Sequence, residues 1–569
     1  MDPVIVVGAG PVGLALALGL ARHEVPVVVL DEGTGAEERR AARTVLLRPD
    51  TVALLARLGC PLEGGARWSG WRTLRRRGVV YQLSFGEEGG GPDTDEASKT
   101  DRADKAGDPV GAPVADDGEA GTEAAGPSPL HLPQHVLTRS LRVALAGQPM
   151  VQLVQGSRVD SLEQDADGVT VRTRGDNGTW WRGSYLVGCD GARSNVRKLL
   201  GVRFPGRTAV ERHAVAALRC ELPWPGEGVL HRSPPHGGEV TARPLPDGVW
   251  RLDWLLPPGR DLVTPDALIA RVRDSLEGWC GDVPPYELLD TGVHAVHHRL
   301  ARRWRTGRAF LAGDAAHLLG ALGTQGVEEG LRDVDNLSWK LGVAQHHGAS
   351  EVLLDSYQAE RRTAVGRRLR AADQALPGLR GSGGWRVVRR AVVPGSGRGR
   401  DALLTDGHLG RGPLGAPPVH ARTPLAPSTA PEGSVTVGTA LGATAADVPV
   451  TAPDGSPAWL MDRLGRDLLI VLVAPGTGVW ERRHWLGAGL MPRLAAAVAA
   501  LPVRAELLVA EGYPGAAAHT VLVVRPDGHL VAALSGVRPS ELYACADAVR
   551  GGAVTVPMAE PASEATANR

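Results

Sequence analysis

The chain has no surplus of charge of either sign, few cysteines and almost no lysine or phenylalanine. Its 63 basic residues are balanced by 63 acidic ones, which excludes the electrostatic footprint of a nucleic-acid or anionic-membrane binder. Only Lys99, Lys105, Lys198 and Lys340 are lysines, a bias that reflects genomic composition rather than function. The five cysteines (Cys60, Cys189, Cys220, Cys280 and Cys545) are scattered and form no CxxC. This pattern excludes a disulfide frame or zinc knuckle and points to reduced thiols in a cytoplasmic protein. The histidine groups His294/His297/His298 and His346/His347 have no acids or cysteines at ligand spacing, so no metal is expected. No run is long and apolar enough to span a bilayer. Val4 to Ala21 imitates a signal peptide, but it has no basic n-region and glycines interrupt it.

The chain does have length and glycine. Its 569 residues allow two to four domains with a sizeable core. Val4–Val7 reads as a strand, Gly8-Ala9-Gly10-Pro11-Val12-Gly13 as a turn, the Ala/Leu run to about His23 as a helix, and Val27–Leu30 as the next strand, ending at Asp31. This is a dinucleotide fingerprint in its required context. Gly8 permits the turn, Gly10 admits a pyrophosphate and Gly13 lets the helix pack on the strand. Asp31, or Glu32 beside it, is the candidate acid for the adenosine ribose. A second unit lies far downstream. Ala309–Ala312 is a short buried-strand run with Asp314 at its end, where open α/β sheets bind ligands. A loop then leads to a glycine-rich helix start and to Leu331, Val334, Leu337 and Leu341 at helical spacing. One carboxylate and one helix N-terminus can together hold two parts of an extended cofactor. The fingerprint alone does not choose between NAD and FAD.

Three stretches supply that choice by resemblance. Gly307–His317 with Gly323–Lys340, the Asp-Gly segment Tyr185–Arg197, and the N-terminal fingerprint resemble, in order, the motifs of FAD-dependent aromatic hydroxylases, the para-hydroxybenzoate hydroxylase family. The resemblance implies an α/β fold: a Rossmann-like FAD-binding domain, an antiparallel-sheet substrate domain and a C-terminal thioredoxin-like α/β domain lacking its dithiol. It implies that Asp314 binds the ribityl chain and that Gly326, Val327 and Glu328 face the flavin pyrimidine edge. Arg43 and Gln134 would reach the cofactor, Asp190 would touch the flavin side and Arg193 would serve NADPH or NADH. FAD would stay bound while the nicotinamide and dioxygen visit. The implied activity is hydroxylation of an aromatic, polycyclic polyketide-type small molecule through a flavin C4a-hydroperoxide. The alternatives are Baeyer–Villiger or rearrangement chemistry, or a flavin-binding protein without oxygenation. A monomer or homodimer is expected. Three departures stand out: Thr138 replaces a family glutamate, both prolines are missing from the loop before Gln325, and Glu328 replaces an asparagine. A carboxylate there either disfavours anionic reduced flavin or points to solvent.

The expected domains are FAD-binding segments 1–67, 130–200 and 291–377, substrate-sheet segments 68–85 and 201–290, an insertion 86–129, a linker 378–431 and a C-terminal domain 432–569. The insertion carries twelve acidic against three basic residues, too little apolar content to order itself. Within 201–290, Trp250, Leu252 and Trp254 alternate with Arg251 and Asp253. With fourteen tryptophans against three phenylalanines, indoles are expected to line an aromatic pocket, or else simply to pack the sheet.

Overall fold

A computed structural model describes all residues except 36–38, 77, 87–121, 175–177, 233, 235–237, 258–262, 321–325, 349, 381–395, 413–414, 477–488 and 553–569. Most of the acidic insertion and the loop with the missing prolines therefore lie outside the described residues.

The first βαβ unit forms as its apolar runs dictate. Strands Val4–Val7, Val27–Leu30, Val151–Val154, Tyr185–Gly188 and Ala309–Leu311 form a parallel sheet, with Arg305–Thr306 antiparallel at one edge. Its two central strands are buried at every position, as a sheet covered on both faces requires. The Pro11–Arg22 helix and the 22-residue Gly326–His347 helix pack on it and on each other.

A nine-stranded sheet stands beyond the carboxyl ends of these strands. Its order is 317–318, 287–300, 206–219, 249–255, 240–244, 227–231, 70–75, 78–86 and 122–127. The Thr122–Pro127 strand falls inside the segment read from composition as an unstructured insertion, because pairing with Gly78–Gly86 satisfies its backbone. A helix, Pro265–Cys280, also interrupts the expected all-sheet region. Thr264 caps it by accepting from Ala267 N (3.2 Å), and Gly281 (φ +88°) ends it. Leu268, Val272 and Leu276 bury one stripe of this helix against Trp250, Leu252 and Trp254. The tryptophans of the alternating strand therefore face this helix, and the charged residues face the other way. Trp68 and Trp71 are likewise core residues.

The segment expected as a linker contains the Ser396–Leu409 helix, whose Leu404 and Leu409 join Trp68, Trp71 and Leu230 in one apolar cluster. A six-stranded C-terminal sheet follows, ordered 457–459, 449–451, 505–510, 468–473, 520–524 and 530–535. Helices Met491–Ala499 and Pro539–Val549 contribute to one of its two apolar cores. The chain reaches this domain through the Glu351–Tyr357 helix, a π-helical turn at Gln358–Arg362, and the Thr363–Arg380 helix. Among the described residues no helix is long and apolar enough to cross a membrane, and the five cysteines are unbonded.

Candidate active site

A cavity of about 520 Å³ opens between the parallel sheet and the nine-stranded sheet. Gly10, Pro11, Val12, Arg43, Gln134, Asp314, Gly326 and Val327 form its floor. Residues roughly 300 apart in sequence thus meet at two helix N-termini, each with free backbone N–H groups. The glycines differ in what they permit. A Cβ on Gly13 would lie 2.0 Å from the Gly8 carbonyl oxygen, and one on Gly8 (φ +105°) would lie 2.6 Å from that of Cys189. A Cβ on Gly10 would meet no protein atom and would stand in the cavity.

Asp314 lies in the single 3₁₀ turn Gly313–Ala315 that ends its strand. Its side chain is exposed to the cavity, and desolvation by the surrounding protein raises its pKa, with His317 and Arg43 acting in the opposite direction. A Cβ on Gly326 would come 2.9 Å from the Asp314 carboxylate, so glycine is what lets the acid and the helix start adjoin. The turn is fixed from behind by Asp333, whose Oδ2 accepts from Gly313 N (3.0 Å) and from His317 Nε2 (2.8 Å). His317 is fully buried and structural in this role. Arg43 Nε donates to Gln134 Oε1 (3.0 Å), locking together the two cavity residues on its other side.

Four sequence-marked acids and bases lie elsewhere. Asp31 braces the glycine turn, accepting from Ala9 N (2.5 Å) and Gly33 N (2.7 Å). Glu32 is exposed, 3.7 Å from Arg158. Asp190 braces the start of the Asn195–Leu199 helix, whose N-cap is Ser194: its carboxylate accepts from Ser194 Oγ (2.5 Å), Asn195 N (2.6 Å) and Val196 N (3.0 Å), and it does not line the cavity. Its neighbours Gly191 and Ala192 do. Arg193 is exposed outside the cavity. The arginine that ties this motif to the Asp314 turn is Arg197, which donates to Ala315 O and Ala192 O (both 2.9 Å) over the Phe204 ring.

Glu328 takes neither expected direction. It is 5% exposed, accepts from Arg48 Nε (2.9 Å) and is bonded by the Thr51 hydroxyl. Val327 lines the cavity, and the Glu328 side chain turns away from it. Glu328→Gln should therefore leave the flavin midpoint potential unchanged and cost about 1.5–3 kcal/mol of stability, the range for a charge-assisted hydrogen bond. Redox titration beside denaturant unfolding checks both parts, and a shifted potential would return the carboxylate to the flavin.

The cavity roof is polar, so of the two roles open to the indoles of the alternating strand it is packing the sheet, not lining the pocket, that Trp250 and Trp254 take. Glu211 and His213 on one strand, Thr241 and Arg243 on a second with Glu239 just before it, Arg251 and Asp253 on a third and His294 on a fourth present one face of the sheet to it. Strand alternation places the tryptophans opposite. His213 Nδ1 donates to Asp253 Oδ1 (2.6 Å), and Nε2 lies 3.4 Å from Glu211 Oε2. Burial works against the imidazolium, but the Asp253 charge and the bonds to both carboxylates outweigh it and raise the pKa to about 9. Arg251 Nη2 donates to Asp253 Oδ2 (3.1 Å), and Arg251 Nη1 to Thr44 Oγ1 (2.9 Å). His408, brought in by the Ser396–Leu409 helix, completes the wall. The alternation at 249–255 signalled this face, whereas nothing local in sequence marks His408.

The family described as "FAD binding domain" matches residues 1–372. The rifampicin monooxygenase of Streptomyces venezuelae is 34% identical over 377 residues, 63% of this chain and 68% of that protein. The 12-dehydrotetracycline 5-monooxygenase/anhydrotetracycline 6-monooxygenase of Streptomyces rimosus is 33% identical over 440 residues, 71% of this chain and 77% of its own. Several further curated relatives are matched over 46% of their own length or less. The crystal structure of the flavin-dependent monooxygenase PieE with FAD and substrate superimposes with a TM-score of 0.68 at 21% identity, covering 96% of this chain and 98% of that one.

Proposed function

Because the chain belongs to the FAD-dependent aromatic hydroxylases that share this FAD binding domain, we propose that it hydroxylates a polycyclic, polyketide-type aromatic at the expense of NADPH or NADH. The observation that carries this reading is the continuity of one cavity from the Gly10 and Gly326 helix starts to the charged face of the nine-stranded sheet. FAD fits the lower part. An elongated, doubly anionic diphosphate suits the open side of Gly10 at the Pro11–Arg22 helix start, where no side chain supplies a cap. Asp314 would hold the ribityl hydroxyls, and the N–H groups at Val327 and Glu328 would meet the electron-rich edge of the ring. Asp31 would reach the ribose through remaining lone pairs; Glu32, Asp190 and Arg193, like Asp31, do not line the cavity, and Asp190 would act through the neighbouring Gly191 and Ala192, which do.

When bound and reduced by a nicotinamide, FAD supplies dioxygen activation and transfer of one oxygen atom. The protein's part is placement: the sheet face orients the ring, and apolar walls such as Leu255, Val296, Leu318 and Leu319 exclude water. The relatives named for tetracycline and rifampicin chemistry support a large, fused substrate. The C-terminal domain is read as a thioredoxin-like scaffold for packing or dimerisation, without redox chemistry, since its one cysteine, Cys545, is buried and unbonded.

Purified enzyme incubated with FAD, NADPH or NADH and anhydrotetracycline as a probe should yield a product one oxygen heavier. A ring-opened or lactonised product selects the Baeyer–Villiger alternative, and hydrogen peroxide without product removes the hydroxylase reading. Asp314→Ala should weaken FAD by roughly 10- to 100-fold, the equivalent of one lost charge-assisted hydrogen bond or slightly more. Flavin absorbance of the purified variant measures this, and full loading would dismiss the Asp314 assignment.

A further inference from the structure

A second cavity, of about 140 Å³, lies where the Pro49–Arg57 helix, the Gly326–His347 helix and the C-terminal domain meet. It shares no lining residue with the cavity at the Gly10 and Gly326 helix starts. Ala53, Leu54, Pro417, Pro418, Met461 and Leu464 give it an apolar wall. Three buried nitrogens of its other lining residues have no hydrogen-bond partner among the described residues: His420 Nε2, His529 Nε2 and Arg57 Nε. His420 is 6% exposed and His529 8%, with their ring centroids 4.4 Å apart. The charged side chains around the cavity are paired. Asp50 meets Arg332 (3.0 Å), Asp335 meets Arg57 (3.8 Å), Asp527 meets Arg525 Nε (2.9 Å) and Arg361 meets Asp333 (2.9 Å).

Buried polar atoms left unpaired are costly unless a further molecule completes them. Size and lining together select that molecule. A cavity of about 150 Å³ holds one benzene ring, and an ion entering a lining whose charges are already paired would lack a counter-charge. His529 Nδ1 lies 3.1 Å from Asp527 Oδ1 and so carries the ring proton, which leaves Nε2 as the acceptor of a neutral ring. Burial lowers the His420 pKa to about 3; His529 and Arg525 act in the same direction and Glu360 and Asp527 oppose them, so this ring is neutral at physiological pH. Arg57 Nε is a donor. A hydroxyl group, which both donates and accepts, answers this mixture without bringing a charge. We propose that the cavity is a second binding site, for a neutral single-ring phenol whose ring lies against the apolar wall and whose hydroxyl meets these nitrogens. The site goes beyond the hydroxylase reading and does not depend on it. Thr51 also lines this cavity, and its hydroxyl bonds Glu328 beside Val327, so an occupant would brace the helix start that borders the first cavity.

Crystals of the FAD-loaded wild type soaked with 4-bromophenol should show anomalous bromine density between Ala53 and His529. Ala53→Phe, at a half-buried position on its helix, fills the cavity and should abolish that density. In calorimetry the binding that Ala53→Phe removes should favour phenol over toluene by about 3- to 10-fold, as one neutral hydrogen bond predicts. Phenol entering the first cavity is followed separately by flavin absorbance, and that titration should be the same in Ala53→Phe as in wild type. His420→Phe should narrow the preference for phenol while toluene binding holds. Water alone in the second cavity, phenol binding unchanged by Ala53→Phe, or toluene bound there as tightly as phenol overturns the site. Bromine density without calorimetric binding marks binding at crystal concentration only and overturns it too. Should the variants not fold, the wild-type density and the wild-type ratio of phenol to toluene affinity decide. A preparation that takes up no FAD fails the earlier functional reading instead, and the same soaks and calorimetry then judge this site by the same criteria.

Discussion

Gly13→Ala should fail to accumulate as folded protein, whereas Gly10→Ala should fold normally and purify without FAD. The two glycines are three residues apart and carry the same motif, yet their surroundings are opposite. At Gly13 a methyl group would overlap the Gly8 carbonyl at 2.0 Å and crowd the Cys189 Cβ at 3.3 Å. Both neighbours directly follow the Val4–Val7 and Tyr185–Gly188 strands at the centre of the parallel sheet, and backbone there cannot give way cheaply. The overlap is more severe than ordinary core overpacking, which already costs about 1–3 kcal/mol. At Gly10 the backbone (φ −77°, ψ 177°) is open to any residue, and the added methyl meets only the cavity. Its effect falls on whatever approaches the Pro11–Arg22 helix start. Soluble yield, thermal unfolding and flavin absorbance of the two variants give the answer. If Gly10→Ala retains full FAD, the diphosphate does not pass where the fold leaves room for it.

Glu360→Gln should be the most destabilising conservative change away from the cavity. Glu360 is 4% exposed and accepts from Lys340 Nζ (2.7 Å), Asn336 Nδ2 (2.8 Å), Arg525 Nη1 (2.6 Å) and Arg525 Nη2 (3.0 Å). Asp527 accepts from Arg525 Nε (2.9 Å) and Asn336 Nδ2 (3.0 Å). Two cations thus face two anions in a closed cluster that joins the Gly326–His347 helix, the π-helical turn and the C-terminal sheet. Removing one anion leaves a buried positive charge uncompensated, at a cost of about 3–5 kcal/mol. Burial would raise the Glu360 pKa, but Arg525 and Lys340 hold it well below the usual carboxylate range; for Asp527, Arg525 and His529 do the same. Folded-state pKa values below the unfolded ones mean that this stability is complete above the ordinary carboxylate values of 4.5 and 3.8 and is lost as pH falls through the lower, folded values. Acid unfolding of the wild type should therefore begin with detachment of the C-terminal domain, seen as early proteolytic cutting between Leu409 and Ser434. In Glu360→Gln the same cutting should occur at neutral pH. Unchanged resistance to protease would show that the cluster does not hold the domains together.

The cofactor half of the molecule is the more legible half in sequence, for a local reason. Gly8 to Asp31 and Ala309 to Leu341 each contain a strand, a turn and a helix in one continuous stretch, so glycine spacing and apolar period describe them fully. The Thr264 cap, Pro265, the Leu268–Val272–Leu276 spacing and Gly281 mark the Pro265–Cys280 helix just as locally, although a reading focused on strands passes over them. What sequence leaves undecided is the choice of partner. Glu328 could face flavin, solvent or Arg48, and its pairing with a residue 280 positions away is decided by packing alone. Asp190 sits in a recognisable motif, yet its oxygens are taken by the amides and the hydroxyl that follow it. The alternation of Val249–Leu255 defines two faces but not which one meets the cavity; the Pro265–Cys280 helix settles that by covering the indoles. His408 joins the roof from outside the matched 1–372 region, and only the tertiary fold brings it there.

The π-helical turn at Gln358–Arg362 has a consequence for how the chain tolerates change in length. Its wider loop of backbone bonds holds one residue more than an α-helical turn would, so everything downstream is rotated by about 100° relative to an unbroken helix. Arg368, on the far side, meets the carbonyls of Gly415 and Ala416 and the Glu329 carboxylate only in that rotated setting. Excising a single residue here would let the helix run straight, and Arg368 would swing away from the Gly415 and Ala416 carbonyls. Substitutions within the turn are matters of degree, but the number of residues in it is fixed.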